Sequence, residues 1–214
     1  MDLLQFFEKD ILGMESRKRA AFMNSLTGFK SASLIGTMDT SGNTNLAIFS
    51  SVVHLGSNPA LIGFVNRPDT TERHTLENIQ STKQYTINHI HREIFLRGHQ
   101  TSARYPKEVS EFDAVGLTPE FSTDFQAPFV KESRIKYGLE FVESYPLKIN
   151  GTILVIGKVV SVSVPTVCVT EDGTIDVEKA DTITISGLDG YHATQRLARL
   201  SYAKPDQSPR ELND

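Results

Sequence analysis

The run from Gly151 to Val164, GTILVIGKVVSVSV, restricts the fold of this chain more than any other segment. It is rich in β-branched residues and is bounded by Asn150-Gly151 and by Pro165, so it predicts a long strand. The preceding segment, Gly138 to Leu147, alternates well enough between polar and apolar residues to be a second strand. The two segments are therefore predicted to pair as a β-hairpin, which favours an antiparallel sheet.

A second hairpin is predicted nearer the N-terminus. Ser31 to Met38 and Thr44 to Val53 are extended runs, and the segment between them, DTSGN, is dense in turn-forming residues. Ala60 to Val65 is a nearly continuous apolar run, which is typical of a central strand that is buried on both faces. Further strands are predicted over residues 85–90 and 182–186.

Helices are predicted between these strands and before them. Apolar residues recur with helical spacing up to Leu26, and Gly13 divides them into two short helices. Further helices are predicted over residues 70–80 and 92–101, with a short one over residues 191–200. Residues 105–126 are polar and Pro-punctuated and predict a long ordered loop.

Strands outnumber helices in this reading of the chain, and hairpins are their main connections. The fold class is therefore predicted to be mainly β, an antiparallel β-barrel with peripheral helices. No linker divides the sequence, so residues 1–204 are expected to form a single domain. The polar tail over residues 205–214, PDQSPRELND, is predicted to be disordered.

The charge balance and the cysteine count narrow the class of function. The 22 basic and 26 acidic residues give a net charge of −4, which provides no basic field for nucleic acid or for a membrane surface. No apolar run approaches the roughly 18 residues that span a bilayer. A single Cys168 cannot form an internal disulfide, and the N-terminal segment does not resemble a signal peptide, so we expect a cytoplasmic protein.

Several common catalytic motifs are missing from the sequence. It contains no G-x-x-x-x-G-K-[ST] loop, no G-x-G-x-x-G fingerprint and no G-x-S-x-G elbow. His89 and His91 stand two apart in a predicted strand, with His99 nearby, but only Glu93 offers a carboxylate at an obvious ligand spacing. We therefore expect no metal site.

The segment from Arg67 to Thr75, RPDTTERHT, is a candidate anion site. It places two arginines, three threonines and a histidine at the start of a predicted helix that follows a buried strand. The free N–H groups and the dipole of a helix start favour an anion, and arginine suits a bidentate phosphate contact. A capped helix whose arginines pair with Asp69 and Glu72 explains the same residues, so both interpretations stay open.

The segment from Asn45 to Ser51, NLAIFSS, carries a second unusual pattern. Consecutive serines are uncommon on a strand that enters a core, and small polar residues allow close approach of a flat ligand. A barrel edge with solvated serines is the alternative.

Eight segments between about Arg17 and Pro205 together carry a family resemblance. They are NSLTGFKSASLIGTMDTSGNTNLAIFSSVVHLGSNPALIGFV, RPDTTERHTLENI, YTINHI, HQTSARYP, SEFDAVGLTPE, APFVKESRIKYGLEF, NGTILVIGKVV and TITISGLDGYHATQRLARLSYAKP. In their order and spacing they resemble the flavin reductase-like family of FMN-binding split-barrel proteins. The resemblance implies a six-stranded antiparallel split barrel with Greek-key connections, which forms a homodimer with one FMN per subunit at or near the interface.

The resemblance also implies which residues bind the flavin. The candidate cofactor contacts are Lys30, Ser31, Asn45, Ala47, Ile48, Phe49, Ser50, Ser51, Arg67, Thr70, Thr71, Arg73, His74 and Thr75. His192, in the family-like segment Gly190-Tyr191-His192, is a candidate near the nicotinamide.

The implied function is an NAD(P)H-dependent flavin reductase or a related FMN oxidoreductase, in which hydride passes from nicotinamide to N5 of the flavin. FMN could be a fixed prosthetic group or a substrate that serves a partner monooxygenase or another electron acceptor. One alternative is a non-catalytic FMN electron carrier that serves a partner protein. Another is a flavin-free barrel that binds a different phosphate-bearing ligand.

Overall fold

The computed structural model describes residues 1–68 and 74–212. The helices are α1 (Glu8–Leu12), α2 (Ser16–Ser25), α3 (His74–Thr82), α4 (Phe95–Gln100) and α5 (Glu111–Val115). The strands are β1 (Lys30–Ser31), β2 (Ser33–Met38), β3 (Thr44–Phe49), β4 (Val53–Ser57), β5 (Ala60–Asn66), β6 (Gln84–His89), β7 (Pro119–Ser122), β8 (Phe125–Val130), β9 (Lys136–Leu147), β10 (Thr152–Ser163), β11 (Thr184–Ser186) and β12 (Gly190–His192). The prediction of a mainly β fold with peripheral helices is confirmed.

The large sheet has seven antiparallel strands in the order β3-β2-β6-β9-β10-β5-β4. Both predicted hairpins are present: Ser33 of β2 lies opposite Phe49 of β3, and Leu147 of β9 lies opposite Thr152 of β10. The sheet has one strand more than the six that the resemblance implies, because β4 turns directly back onto β5. Two smaller sheets, β1-β11-β12 and β7-β8, complete the described strands.

The large sheet curls into a split barrel: the chain joins its two edges directly, and among the described strands no ladder pairs β3 with β4. β3 and β4 are six positions apart in the sheet, or about 29 Å if the sheet were flat. Only residues 50–52 connect them along the chain. Ser51 completes the closure: its Oγ donates to the Val65 carbonyl at 3.0 Å and accepts from the Val65 N–H at 3.1 Å.

Two apolar clusters hold this arrangement together. The first fills the barrel and includes the fully buried side chains Phe64, Tyr85 and Leu139. The second lies between the barrel and the helices α4 and α5, where Phe112 packs with Leu34 and its neighbours. The second cluster also includes Ile183 and Ile185, so the small β1-β11-β12 sheet is anchored to the barrel.

Two sequence predictions are corrected. Residues 105–126 are not one loop, because they contain α5, β7 and the start of β8. The helix predicted over residues 191–200 does not form, since Tyr191 and His192 pair with Ile185 and Thr184 of β11. In both places short hairpins form, β7 with β8 and β11 with β12, and strands of three or four residues give too weak a sequence pattern to be recognised.

The C-terminal segment folds back on itself. The Leu212 N–H donates to the Arg199 carbonyl at 2.9 Å, and the Ser201 N–H donates to the Arg210 carbonyl at 2.8 Å. The disorder expected for residues 205–214 stays a prediction. Within the described ranges, no helix has the length and apolar character needed to span a lipid bilayer.

Candidate functional site

A groove of about 710 Å³ lies between the end of α2, strand β1 and the segment that follows β3. This volume is in the range of small-molecule sites. Its walls are Met23, Asn24, Thr27, Phe29, Lys30, Ser31, Ser50, Ser51, Val52 and Val53. Four of the candidate cofactor contacts, two from each of two separate chain segments, therefore line one cavity.

Strand β3 presents an open backbone edge toward the end that borders this groove. It is an edge strand of the large sheet, and the Leu46 N–H points away from β2 to Glu111 Oε2 at 2.9 Å. Because residues of an antiparallel pair alternate in direction, the backbone groups of Ile48 also face away from β2, whereas those of Ala47 and Phe49 bond to it. Of the predicted backbone contacts within β3, Ile48 is the one placed to bind a ligand.

The two serines after β3 have different surroundings. The Ser51 hydroxyl is used in barrel closure, where it contacts both backbone groups of Val65. The half-buried Ser50 hydroxyl has no hydrogen bond within residues 1–68 and 74–212. Ser50 is therefore the serine whose side chain is available to a ligand.

Asn45 and Thr75 belong to a buried polar network that supports α3. Asn45 Nδ2 donates to Thr75 Oγ1 at 3.1 Å and to Thr37 Oγ1 at 3.3 Å. Asn78 Nδ2 also donates to Thr37 Oγ1, at 3.1 Å. These bonds connect the described start of α3 to β2 and β3, so both candidates act in the scaffold beside the anion segment.

One cation, Lys30, lies in the wall of the groove and within the electrostatic field of a second, Arg67, from a distant part of the chain. Lys30 Nζ donates to the carbonyls of Gly187 and Asn24, at 2.9 and 3.2 Å. Partial burial, and then the positive charge of Arg67, lowers the Lys30 pKa. Arg67 follows β5 and is exposed, and within the described part of the chain it forms no ion pair. Two like charges that act on each other in this way favour an anionic ligand.

The structure describes only some residues of the rest of the candidate anion segment. Thr70, Thr71 and Arg73 lie outside the described residues. His74 is at the described start of α3, near the carboxyl of Glu111. Burial raises the Glu111 pKa, and the bond from the Leu46 N–H and the charge of His74 oppose that rise.

His192 lies on the small sheet beside the groove. Its Nε2 is 2.8 Å from Ser186 Oγ, and its ring centroid is 4.8 Å from that of Phe29. Phe29 lines the groove, so His192 stands behind one of its walls.

Two unpartnered hydroxyls lie on the same face of the small sheet as His192. Ser31 of β1 and Thr184 of β11 are opposite each other, and Thr184 is in turn opposite His192. Both hydroxyl oxygens are buried, and neither has a hydrogen-bond partner among the described residues. Sequence analysis missed Thr184, Ser186 and Phe29. Only the GYH and TIS segments signalled this region, and strands of three residues give no register.

The histidines that were considered as metal ligands each contact a different partner. His91 Nε2 contacts the Glu132 carbonyl at 2.9 Å, and His99 Nδ1 contacts the Tyr191 hydroxyl at 2.8 Å. His89 packs edge-on to Tyr137, and burial lowers its pKa to about 4. Within residues 1–68 and 74–212, no group of three or more His, Cys, Asp or Glu side chains is arranged to hold a metal ion.

Comparison with known proteins gives concordant matches. The family model of the flavin reductase like domain matches residues 28–179. A protein of Shewanella frigidimarina NCIMB 400, provisionally assigned as a flavin reductase with a split barrel domain, is 56% identical in sequence. That alignment covers 94% of this chain and 100% of the other, with a TM-score of 0.90.

Two further proteins are more distant. Nitrilotriacetate monooxygenase component B from Bacillus cereus has a TM-score of 0.81 at 20% identity, over 94% of this chain and 100% of the other, which shows a shared fold. An uncharacterized protein of Aquifex aeolicus (strain VF5) is 31% identical over 115 residues, or 53% of this chain. The match spans 59% of that relative's length.

Proposed function

The chain belongs to the flavin reductase-like domain family, and from that premise we propose that it binds FMN in the groove and acts as an NAD(P)H-dependent flavin reductase. The observation that carries the proposal is a groove whose wall holds Lys30, within the electrostatic field of Arg67, and which also borders an open strand edge. A phosphate supplies the missing negative charge, and a flat polar ring suits the strand edge.

The residues present fit a flavin mononucleotide. Lys30 and Arg67 would hold the phosphate, and the N–H and C=O of Ile48 would bond the edge of the ring, which carries both donors and acceptors. The Ser50 hydroxyl is free to join them. A flavin bound there would supply the redox chemistry, as a group that can take hydride from a reduced nicotinamide and give electrons to an acceptor.

The contribution of the protein to this chemistry is orientation and charge. Barrel closure through Ser51 fixes the end of β3, so the Ile48 backbone is held in place before the ligand binds. The positive charges of Lys30 and Arg67 would retain the flavin through its phosphate. The hydride step needs no general base.

We propose a homodimer whose interface includes the rim of the groove. Val53, which lines the groove, is 46% exposed, and Leu55 of the same edge strand is 42% exposed. A second copy would cover this apolar strip. Light scattering is expected to give twice the subunit mass of 23.8 kDa, and a single-subunit mass would contradict the dimer.

The proposed acceptor is a partner monooxygenase or another soluble electron acceptor, in line with the monooxygenase component among the structural relatives. The proposed compartment is the cytoplasm, and a buried, unpaired Cys168 suits its reducing conditions.

The visible spectrum of the purified protein, recorded without oxygen, tests the proposal. We expect a flavin spectrum, either as purified or after addition of FMN, that bleaches when NADH or NADPH is added. A flavin spectrum that persists with both donors would instead favour a non-catalytic electron carrier. A protein that takes up no FMN would favour a barrel for a different phosphate-bearing ligand.

A further inference from the structure

Residues 6–25, which include α1 and α2, form a unit that we call the N-terminal helical pair. Within the described part of the chain, neither helix has a buried side chain. The pair is held together by Phe6 and Phe22, whose ring centroids are 5.1 Å apart, and by Arg19, whose Nη1 donates to the Leu12 carbonyl at 3.0 Å. Short helices are stabilised mainly by packing, so a pair that buries nothing is expected to move easily against the barrel.

The helical pair nevertheless forms one side of the groove. Met23 and Asn24 of α2, and Thr27 just after it, line the groove together with Ser50 of the barrel. Met23 is 45% exposed, so this side of the groove is not covered by other parts of the subunit. A ligand in the groove would therefore contact the barrel and the helical pair at the same time.

A glycine joins the helical pair to the barrel. Gly28 lies between α2 and β1, and its φ of 69° is in the left-handed region that glycine adopts without strain. A Cβ at this position would have no atom within 4 Å, so neighbouring side chains do not confine the backbone here. Hinges of lids are residues of this kind, at the end of an element and free to change their backbone angles.

One side chain fastens the helical pair to the rest of the fold. Lys30 Nζ donates to the carbonyl of Asn24, near the end of α2, at 3.2 Å and to the carbonyl of Gly187 at 2.9 Å. Among the described residues, no other hydrogen bond or ion pair joins residues 6–25 to a strand. An ammonium has three donor hydrogens, so one remains for an anion in the groove. The same cation can therefore contact the helical pair and a ligand together.

We propose that the N-terminal helical pair is a lid that closes on FMN in the groove, with Gly28 as its hinge and Lys30 as the contact that couples closure to the phosphate. Closure buries Met23, an apolar side chain that is otherwise exposed, and this burial favours the closed position. The lid slows release of the flavin, because α2 must move before the groove opens. The inference rests on the proposed function, since it requires FMN in the groove.

Hydrogen exchange of the full chain, followed by mass spectrometry, tests whether the lid closes. Without FMN the amides of α2 should exchange quickly, and at saturating FMN their exchange should slow about tenfold or more. The C-terminal segment over residues 199–212, which folds back on itself, is the control and should exchange alike in both conditions. Fast exchange of α2 in both conditions overturns the lid. Full protection of α2 without FMN also overturns it, because a second copy would then cover the helices.

Two substitutions at the hinge separate a lid from a structural role. Asparagine tolerates the left-handed region and valine does not, and a Cβ here meets no neighbour in either variant. Gly28→Val should release FMN about tenfold faster in a stopped-flow measurement, whereas Gly28→Asn should release it at the wild-type rate. The urea midpoints of both flavin-free variants should equal that of wild type, because the lid buries no side chain.

The outcomes separate the lid from the proposed function. A wild-type protein that takes up no FMN overturns the proposed function and the lid with it. A wild-type protein that holds FMN, while α2 exchanges equally fast with and without it, overturns the lid alone. Equal release rates for Gly28→Val and Gly28→Asn overturn the hinge. A lower urea midpoint in Gly28→Val with an unchanged release rate does so too, because the glycine is then only structural.

Discussion

The two walls of the groove differ in how far the fold uses their polar groups. On the β3 wall, Ser51 makes two hydrogen bonds to Val65, and the neighbouring network is satisfied from Asn45 to Thr75. On the small-sheet wall, Ser31 and Thr184 have buried hydroxyls without described partners. The difference shows that the polar groups beside β3 are satisfied by folding itself, whereas two hydroxyls of the small sheet are left without partners among the described residues.

The largest effect is expected from removal of the two cations. The double variant Lys30→Met, Arg67→Met should bind FMN about 100-fold more weakly, because two charge-assisted contacts to phosphate are lost. Fluorescence titration with FMN measures this. Lys158→Met, on the exposed side of β10, is the control and should bind FMN normally. If the double variant bound FMN as tightly as wild type does, the FMN phosphate would not lie at this end of the groove.

The second-largest effect is expected on the free energy of unfolding, and it concerns Ser51 at the end of β3. Ser51→Ala should lower the free energy of unfolding by about 2 kcal/mol, since it leaves the Val65 N–H and C=O unpaired inside the closure. Urea denaturation of the flavin-free protein measures this. Ser50→Ala is the matched control, and its unfolding midpoint should not move. Equal midpoints for the two variants would show that Ser51 does not close the barrel.

The smallest effect is expected on the pH dependence of stability, through Glu111, which accepts a hydrogen bond from the edge of β3. Burial raises the pKa of Glu111 above its ordinary value, so the folded protein binds this proton more tightly than the unfolded chain does. The stability contribution is complete below about pH 4.5, the unfolded value, and is lost as the pH rises through the folded pKa.

Glu111→Gln should therefore flatten this part of the stability profile, because glutamine keeps an acceptor for the Leu46 N–H and does not titrate. Urea midpoints measured from pH 4 to 7 check the prediction. Parallel profiles for wild type and Glu111→Gln would show that this carboxyl does not contribute, and FMN binding at pH 7 should be unchanged in either case.

The hairpins were predictable because their signals are local. A turn such as Asn150-Gly151 between an alternating run and a β-branched run specifies an antiparallel pair without help from the rest of the chain. The candidate site was predictable in part, since Lys30, Ser31, Ser50 and Ser51 do line one groove. The hydrogen bonds that divide these residues into scaffold and ligand contacts depend on partners distant in sequence, such as Val65 for Ser51.

The residues that were missed share a physical reason. Thr184 and Ser186 lie on a strand of three residues, whose register comes from pairing with β1 and β12 and not from any pattern of its own. Helix α5 was missed because its position is set by contacts from Ser110 and Glu111 to β3. Local propensity is weak for elements this short, so tertiary contacts decide them.

The sequence by itself determined the strand-rich class, the two hairpins and the family resemblance, because alternation and turn residues act over a few neighbouring positions. Only the tertiary structure decided the closure of the sheet, the proximity of Lys30 to Arg67, and the row that joins Ser31, Thr184 and His192. Each of these joins residues far apart in the chain, and packing of the barrel core and the small sheet brings them together.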